Sequence, residues 1–140
     1  MKIAIGCDHT GVAMKRALLE SVLSDHVVLD VGTDSEKPVD YPDFAKKVAR
    51  AVASGEADKG ILICGTGIGM AMAAGKVPGI RAASCSEPYS AELSRRHDNA
   101  NILCLGARVI GTGMAKKVTE TWLASPFDGG RHTQRVEKIG

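Results

Sequence analysis

Five short apolar runs, at residues 2–6, 27–31, 60–64, 80–85 and 101–105, alternate along the whole chain with longer stretches of helical period. No other feature narrows the fold as much. Strands separated by helices require right-handed crossovers, and these build a parallel sheet covered on both faces. In residues 12–24, Leu18, Leu19, Val22 and Leu23 share one helical face. In residues 42–54, Phe44, Ala45, Val48, Ala49 and Val52 do so, with Lys46, Lys47 and Arg50 opposite. Pro42 suits a first helical turn, and Gly55 marks the stop. Ser86 is read as the cap of a helix over 88–96, and Pro126 ends another over 113–123. The expectation is a single-domain three-layer α/β sandwich of the flavodoxin or Rossmann-like kind, with a five-stranded parallel sheet in the order 2-1-3-4-5. The 140 residues form one domain, in which the polar stretch 127–140 is a C-terminal arm.

Composition excludes several functions. Hydrophobic residues make up 44% and charged residues 24%, as in a globular domain rather than a disordered one. A net charge of +2 is too balanced for a protein dedicated to nucleic acid or a membrane surface, and 4% aromatics leave little for base stacking. No window approaches the roughly 18 apolar residues of a membrane span, and the opening residues lack a signal-peptide core. Cys7, Cys64, Cys85 and Cys104 include no Cys-x-x-Cys pair, so they read as free thiols in a reducing, cytoplasmic compartment.

Ligands of an open parallel sheet bind at the carboxyl ends of its strands, where the strand order reverses. Two of those ends carry reactive residue types: Cys7-Asp8-His9 after the first strand, and Cys64-Gly65-Thr66-Gly67-Ile68-Gly69 after the third. Three glycines in five residues let backbone N–H groups approach a ligand, and the helix start that follows favours an anion or a negative sulfur at Cys64. A small buried cysteine beside a tight turn would look the same. Known glycine-loop patterns fit poorly. Met70 stands where a dinucleotide fingerprint has its third glycine, and no Gly-Lys-Ser/Thr occurs. Neither Cys64 nor Cys7 is followed six residues on by the arginine that a cysteine phosphatase would want, since Met70 and Ala13 stand there. Asp8, His9, Cys64 and His97 lack the tight ligand spacing of a metal site, so none is expected. His97, in Arg95-Arg96-His97-Asp98-Asn99, is compatible with a plain solvated helix end.

Taken in order, Asp8-His9, Asp40-Tyr41-Pro42, the 64–69 loop, Ser86-Glu87-Pro88-Tyr89-Ser90, His97-Asp98-Asn99-Ala100-Asn101 and Gly129-Gly130-Arg131-His132-x-x-Arg135-Val136 form a series. It resembles the type B ribose-5-phosphate isomerases, a group that also includes galactose-6-phosphate and allose-6-phosphate isomerases. The resemblance spans essentially the whole chain. It implies aldose–ketose isomerisation of a sugar phosphate, foremost ribose 5-phosphate to ribulose 5-phosphate, without metal or organic cofactor. By similarity Cys64 is the base that carries a proton between C1 and C2, and His97 opens the sugar ring. Thr66 and the amides of Gly65, Gly67, Ile68 and Gly69 stabilise the enediolate. Asp8 and His9 hold sugar hydroxyls, while Arg131, Arg135 and Arg108 bind phosphate. Asp98 stands where the family most often has a substrate-contacting Asn, and a carboxylate facing an enediolate is unfavourable. Either its backbone N–H acts there or the sugar differs. The resemblance further implies a homodimer or tetramer with shared active sites, His97 and Arg108 serving the neighbour's Cys64. A sugar phosphate of six or four carbons, or a non-catalytic phosphate-binding module, are the alternatives.

Overall fold

The computed structural model describes residues 1–140. Strand β1 (Lys2–Cys7) leads through a single 3-10 turn into helix α1 (Val12–Leu19) and strand β2 (Val27–Asp30). Helix α2 (Tyr41–Ala53), strand β3 (Lys59–Cys64), helix α3 (Ile68–Ala74) and strand β4 (Ala82–Ser84) follow. Helix α4 (Pro88–Arg96), strand β5 (Ile102–Gly106), helix α5 (Thr112–Ala124) and helix α6 (Arg131–Glu137) complete the chain. All five strands are parallel. On one face Ile3, Ile5, Ile61, Ile63, Leu103 and Leu105 pack with α1, α4 and α5 around Trp122. On the other, Ala4, Leu62, Ile102 and Cys104 meet α2 and α3. The three layers and five parallel strands are those expected.

The strand order is not. It runs β2-β1-β3-β5-β4, so the last two strands are exchanged relative to 2-1-3-4-5. The reason lies in what each strand can bury. Every residue of β5 is buried, whereas β4 is three residues long and only partly covered. A fully apolar strand belongs inside the sheet, and a short, half-exposed one limits the open edge. The reversal of order between β1 and β3, which places the crevice, stands as expected.

Two local expectations also shift. Helix α1 stops at Leu19 rather than running to residue 24, because the Ser21 hydroxyl donates to the Ala17 carbonyl (2.6 Å) and Leu23 N–H turns back to Leu18 (3.0 Å). Glu87, not Ser86, caps α4: Pro88 holds the first helical position, and the Glu87 carboxylate accepts from Ser90 N–H at 3.0 Å.

Beneath the β1 end, Lys15 is 1% exposed and donates to Asp30 (3.0 Å), Asp34 (2.7 Å) and the Thr33 carbonyl (2.8 Å). Burial alone would push its ammonium down, but the bonds to Asp34 and Asp30 outweigh burial and hold it above its ordinary value. The Asp34 carboxyl is correspondingly lowered by Lys15. Lys15→Ala removes three hydrogen bonds and leaves a cavity, so unfolding free energy should fall by about 2–4 kcal/mol in urea titration. Lys15→Met, which refills the space, should lose less. A lowered carboxyl stabilises above its unfolded value and loses that contribution as acid protonates it. A raised ammonium stabilises below its unfolded value and loses it as alkali deprotonates it. The difference between parent and Lys15→Met should therefore be flat from about pH 5 to 10 and shrink outside that window.

Candidate active site

The carboxyl ends of β1 and β3 are neighbours, with Cys7 paired to Ile63, and they carry Asp8 and Cys64 to the same rim. Asp8 is buried and accepts from Thr10 N–H (2.9 Å) and the Thr10 hydroxyl (2.6 Å), which fixes its carboxylate. The Nδ1 atom of His9 accepts from Val39 N–H at 3.2 Å. A neutral His9 ring therefore bears its proton on Nε2, where it can donate outward.

Cys64 is 5% exposed, and its Sγ accepts the Gly67 N–H at 3.1 Å. This bond closes the loop over the sulfur and offers a negative sulfur a donor directly. Helix α3 is only seven residues long, so the nearby amide matters more than the helix end. Gly67 reaches that geometry at φ +80°, which a side chain would strain, and an added methyl would also lie 3.0 Å from the Leu105 backbone. The Ile68 N–H is used within the loop by Thr66 Oγ1 (3.2 Å), leaving the exposed Thr66 hydroxyl hydrogen free to donate elsewhere. The N–H groups of Gly65, Thr66 and Gly69 have no acceptor in the chain. Together they are an anion-stabilising set.

An open cavity of about 440 Å³ joins these pieces, lined by Asp8, Tyr41, Cys64, Gly65, Thr66, Ile68, Gly69 and Met72. Gly67 lies buried behind it. Tyr41 and Met72 are lining residues that sequence reading did not single out as site residues. Tyr41 stands in the Asp40-Tyr41-Pro42 motif, and its ring packs so closely on Gly69 that a methyl there would lie 2.6 Å from Cε1.

The other cysteines are differently placed. Burial pushes the Cys7 thiol up to about 11, against the pull of Lys15. Burial also raises Cys85 and, above all, the fully enclosed Cys104. All four are free, and Cys64 alone lines a cavity.

Arg108 follows β5, and because β5 lies beside β3 it returns to the loop of its own chain. Its N–H donates to Gly65 O (3.0 Å), and its Cδ would lie 3.6 Å from a methyl on Gly65. It was expected to serve the neighbour's Cys64 together with His97; within this chain, the exchange of β4 and β5 puts it beside its own.

His97 is elsewhere. It caps the C-terminus of α4, and the chain then enters β5 at its amino end, where Asn101 accepts from Gly60 N–H. Cys64 ends β3 at the carboxyl edge, so a strand length of roughly 17 Å separates the two levels. Asp98 is likewise remote, lining a different cavity with Arg81, Ala100 and Ile139. The arm ends in α6, where Arg131 and Arg135 are exposed and join no ion pair. Its His132 turns inward and stacks on His97, centroids 4.2 Å apart and planes within 9°. The sequence places His132 in the Gly129-Gly130-Arg131-His132 motif without marking a role for it. The residues expected in one site thus fall into two groups within the chain: Asp8, His9, Cys64, Thr66 and Arg108 at one end of the sheet, His97, Asp98, Arg131 and Arg135 at the other.

Comparison with known proteins finds relatives along the whole chain. The chain is 52% identical over 139 residues to ribose-5-phosphate isomerase B of Escherichia coli K12, covering 99% of this chain and 93% of that one. It is 43% identical over 143 residues to the D-erythrulose-4-phosphate isomerase of Pectobacterium atrosepticum, covering 100% and 93%. The solved structure of Clostridium thermocellum ribose-5-phosphate isomerase B superposes with a TM-score of 0.98 at 54% identity, covering 100% and 95%. The sequence profile of the Ribose/Galactose Isomerase family matches residues 3–139, and the chain belongs to that family.

Proposed function

We propose that this protein interconverts ribose 5-phosphate and ribulose 5-phosphate, carrying the proton between C2 and C1 on Cys64 through an enediolate. The observation that carries this reading is the sulfur itself. It lies at the rim of a sugar-sized cavity, holds a backbone donor, and is surrounded by free N–H groups that suit an enediolate oxygen. His97 opens the ring; Asp8, and His9 through its free Nε2–H, hold hydroxyls; Arg131 and Arg135 take the phosphate. No metal or organic cofactor is required, so turnover should survive a chelator.

Since His97 and Cys64 occupy opposite ends of one chain, a complete site needs a second copy. The reading is a homodimer, or a tetramer built on it, in which the His97 and α6 end of one subunit faces the partner's Cys64 rim. Arg108 remains with its own glycine loop. Asp98, exposed at the His97 end, approaches substrate through its backbone N–H rather than its carboxylate. Four buried free thiols suit work in a reducing cytoplasm on pentose phosphates.

Solvent exchange tests the activity. In deuterated water, ribose 5-phosphate recovered after incubation should carry deuterium at C2, and a phosphate-binding module would leave it unlabelled. Four- and six-carbon aldose phosphates in parallel reactions rank the sugars; faster labelling of either would replace ribose 5-phosphate as the substrate.

The phosphate assignment has its own test. A charge-assisted hydrogen bond is worth about 1.5–3 kcal/mol, so Arg131→Ala and Arg135→Ala should each weaken binding roughly ten- to a hundredfold. Arg131→Lys should recover only part, since lysine lacks the bidentate fork. Free ribose, a poor substrate throughout, should be nearly indifferent. An equal fall for ribose and ribose 5-phosphate would make the arginine structural.

A further inference from the structure

The most organised group of side chains away from the Cys64 cavity is His97, Asp128 and His132, whose nitrogen and oxygen atoms lie within 4.8 Å of one another. Two histidines and a carboxylate suggest a metal, but the geometry speaks against one. A metal needs in-plane nitrogen lone pairs that converge, and parallel rings 4.2 Å apart aim theirs side by side. The carboxylate is also engaged, receiving Arg96 Nε at 3.1 and 3.3 Å.

These contacts instead tie the arm to the end of α4. Asp128 N–H donates to the Arg96 carbonyl at 3.0 Å, so backbone and side chain both join the same residue. Gly129 and Gly130, at φ +68° and +56°, then reverse the chain, and α6 starts with His132 turned toward α4. His132 is 9% exposed, while its neighbours Arg131 and Arg135 face solvent. Left alone, a histidine on the last turn of a helix would sample several rotamers. Here one face of the His97 ring is covered by a second, buried ring.

We propose that His132 and Asp128 are positioning residues for His97: Asp128 fastens the arm to α4 through Arg96, and His132 holds the His97 imidazole flat at the orientation that ring opening requires. This rests on the assignment of His97 as the ring-opening group. Burial, and then His97, Arg131 and Arg135, hold the proton affinity of His132 below its ordinary value against the opposing pull of Asp128. A misplacement of about 1 Å in such a group can cost up to about a hundredfold in rate. Ring opening is the one step that the ketose, already an open chain, does not need.

The test uses the full-length protein and initial rates from each side. His132→Ala should slow the saturated rate from ribose 5-phosphate about ten- to a hundredfold with its KM changed less than about threefold, while the saturated rate from ribulose 5-phosphate is nearly kept and only the ketose KM rises, as the fixed equilibrium constant requires. His132→Phe, which restores a flat ring, should recover most of the loss. Asp128→Asn, at a surface position, should show a smaller loss of the same directional kind, and it keeps the test open should His132→Ala not fold. A rise in KM from both sides would make His132 a phosphate ligand, and equal rate losses from both sides would make it structural; either overturns the proposal. His97→Asn in the same assay separates the two levels. If it is direction-selective and His132→Ala is not, the positioning role alone fails. Should His97→Asn also lack selectivity, the assignment of His97 fails and takes the positioning role with it.

Discussion

Replacing Cys64 by alanine should lower turnover roughly 10³–10⁴-fold in both directions while the protein stays folded, the upper part of the range for a positioned acid–base group. Both directions share the enediolate, so both lose its base. The fold should tolerate the change, because the lost contact is one bond from Gly67 N–H to sulfur, worth about 1 kcal/mol. Circular dichroism and a urea titration check that point beside the kinetics. Iodoacetamide gives an independent measurement. Burial holds Cys7, Cys85 and Cys104 in the thiol form, and Cys64 is the one at a cavity. Brief treatment at neutral pH should therefore add one label per chain, at Cys64, and inactivate in step with labelling. Ribose 5-phosphate should protect. Substituting Cys7, Cys85 or Cys104 by Ala or Ser should leave activity in place with modest stability losses. Full turnover by Cys64→Ala would remove the assignment altogether.

His97→Asn should divide the reaction in two. Asparagine cannot exchange a proton near neutral pH, so the variant should handle only sugar that is already open. From ribulose 5-phosphate, an open chain, the initial rate should stay within about tenfold of the parent. From ribose 5-phosphate, which is nearly all cyclic, it should fall by on the order of 10²–10³-fold. A second signature separates this from simple damage. The variant would be fed by spontaneous ring opening, so beyond a certain point more enzyme should no longer raise the ribose 5-phosphate rate. A rate proportional to enzyme throughout, with equal losses from both sides, would mean that His97 is not the ring-opening group.

The residues of the Cys64 rim are legible in the sequence because their placement depends on short-range order. Asp8, Cys64 and the three glycines after Cys64 are set by what immediately follows β1 and β3, and those strands are marked by their own apolar runs. Tyr41 and Met72 were not legible as lining residues. Each belongs to a helix whose position against the loop comes from packing of α2 beside α3. His132 shows the same limit more sharply. Its motif was visible, but nothing local says that the Gly129-Gly130 reversal turns it onto a ring 35 positions earlier.

The amino-acid sequence by itself determined the alternation of strands and helices, and with it the parallel sheet, its two covered faces and the crevice between β1 and β3. Those follow from apolar periodicity and from the handedness of crossovers, properties that a chain carries locally. Only the tertiary structure decided that β5 lies inside β4, since both orders obey the same crossover rule. The choice falls to the relative burial of two strands competing for one position. From that choice follow Arg108 beside its own Gly65 and β4 at the open edge. The distance between His97 and Cys64 has a different origin. A helix that returns a parallel strand must run back down the sheet, so the end of α4 and the end of β3 fall at opposite rims.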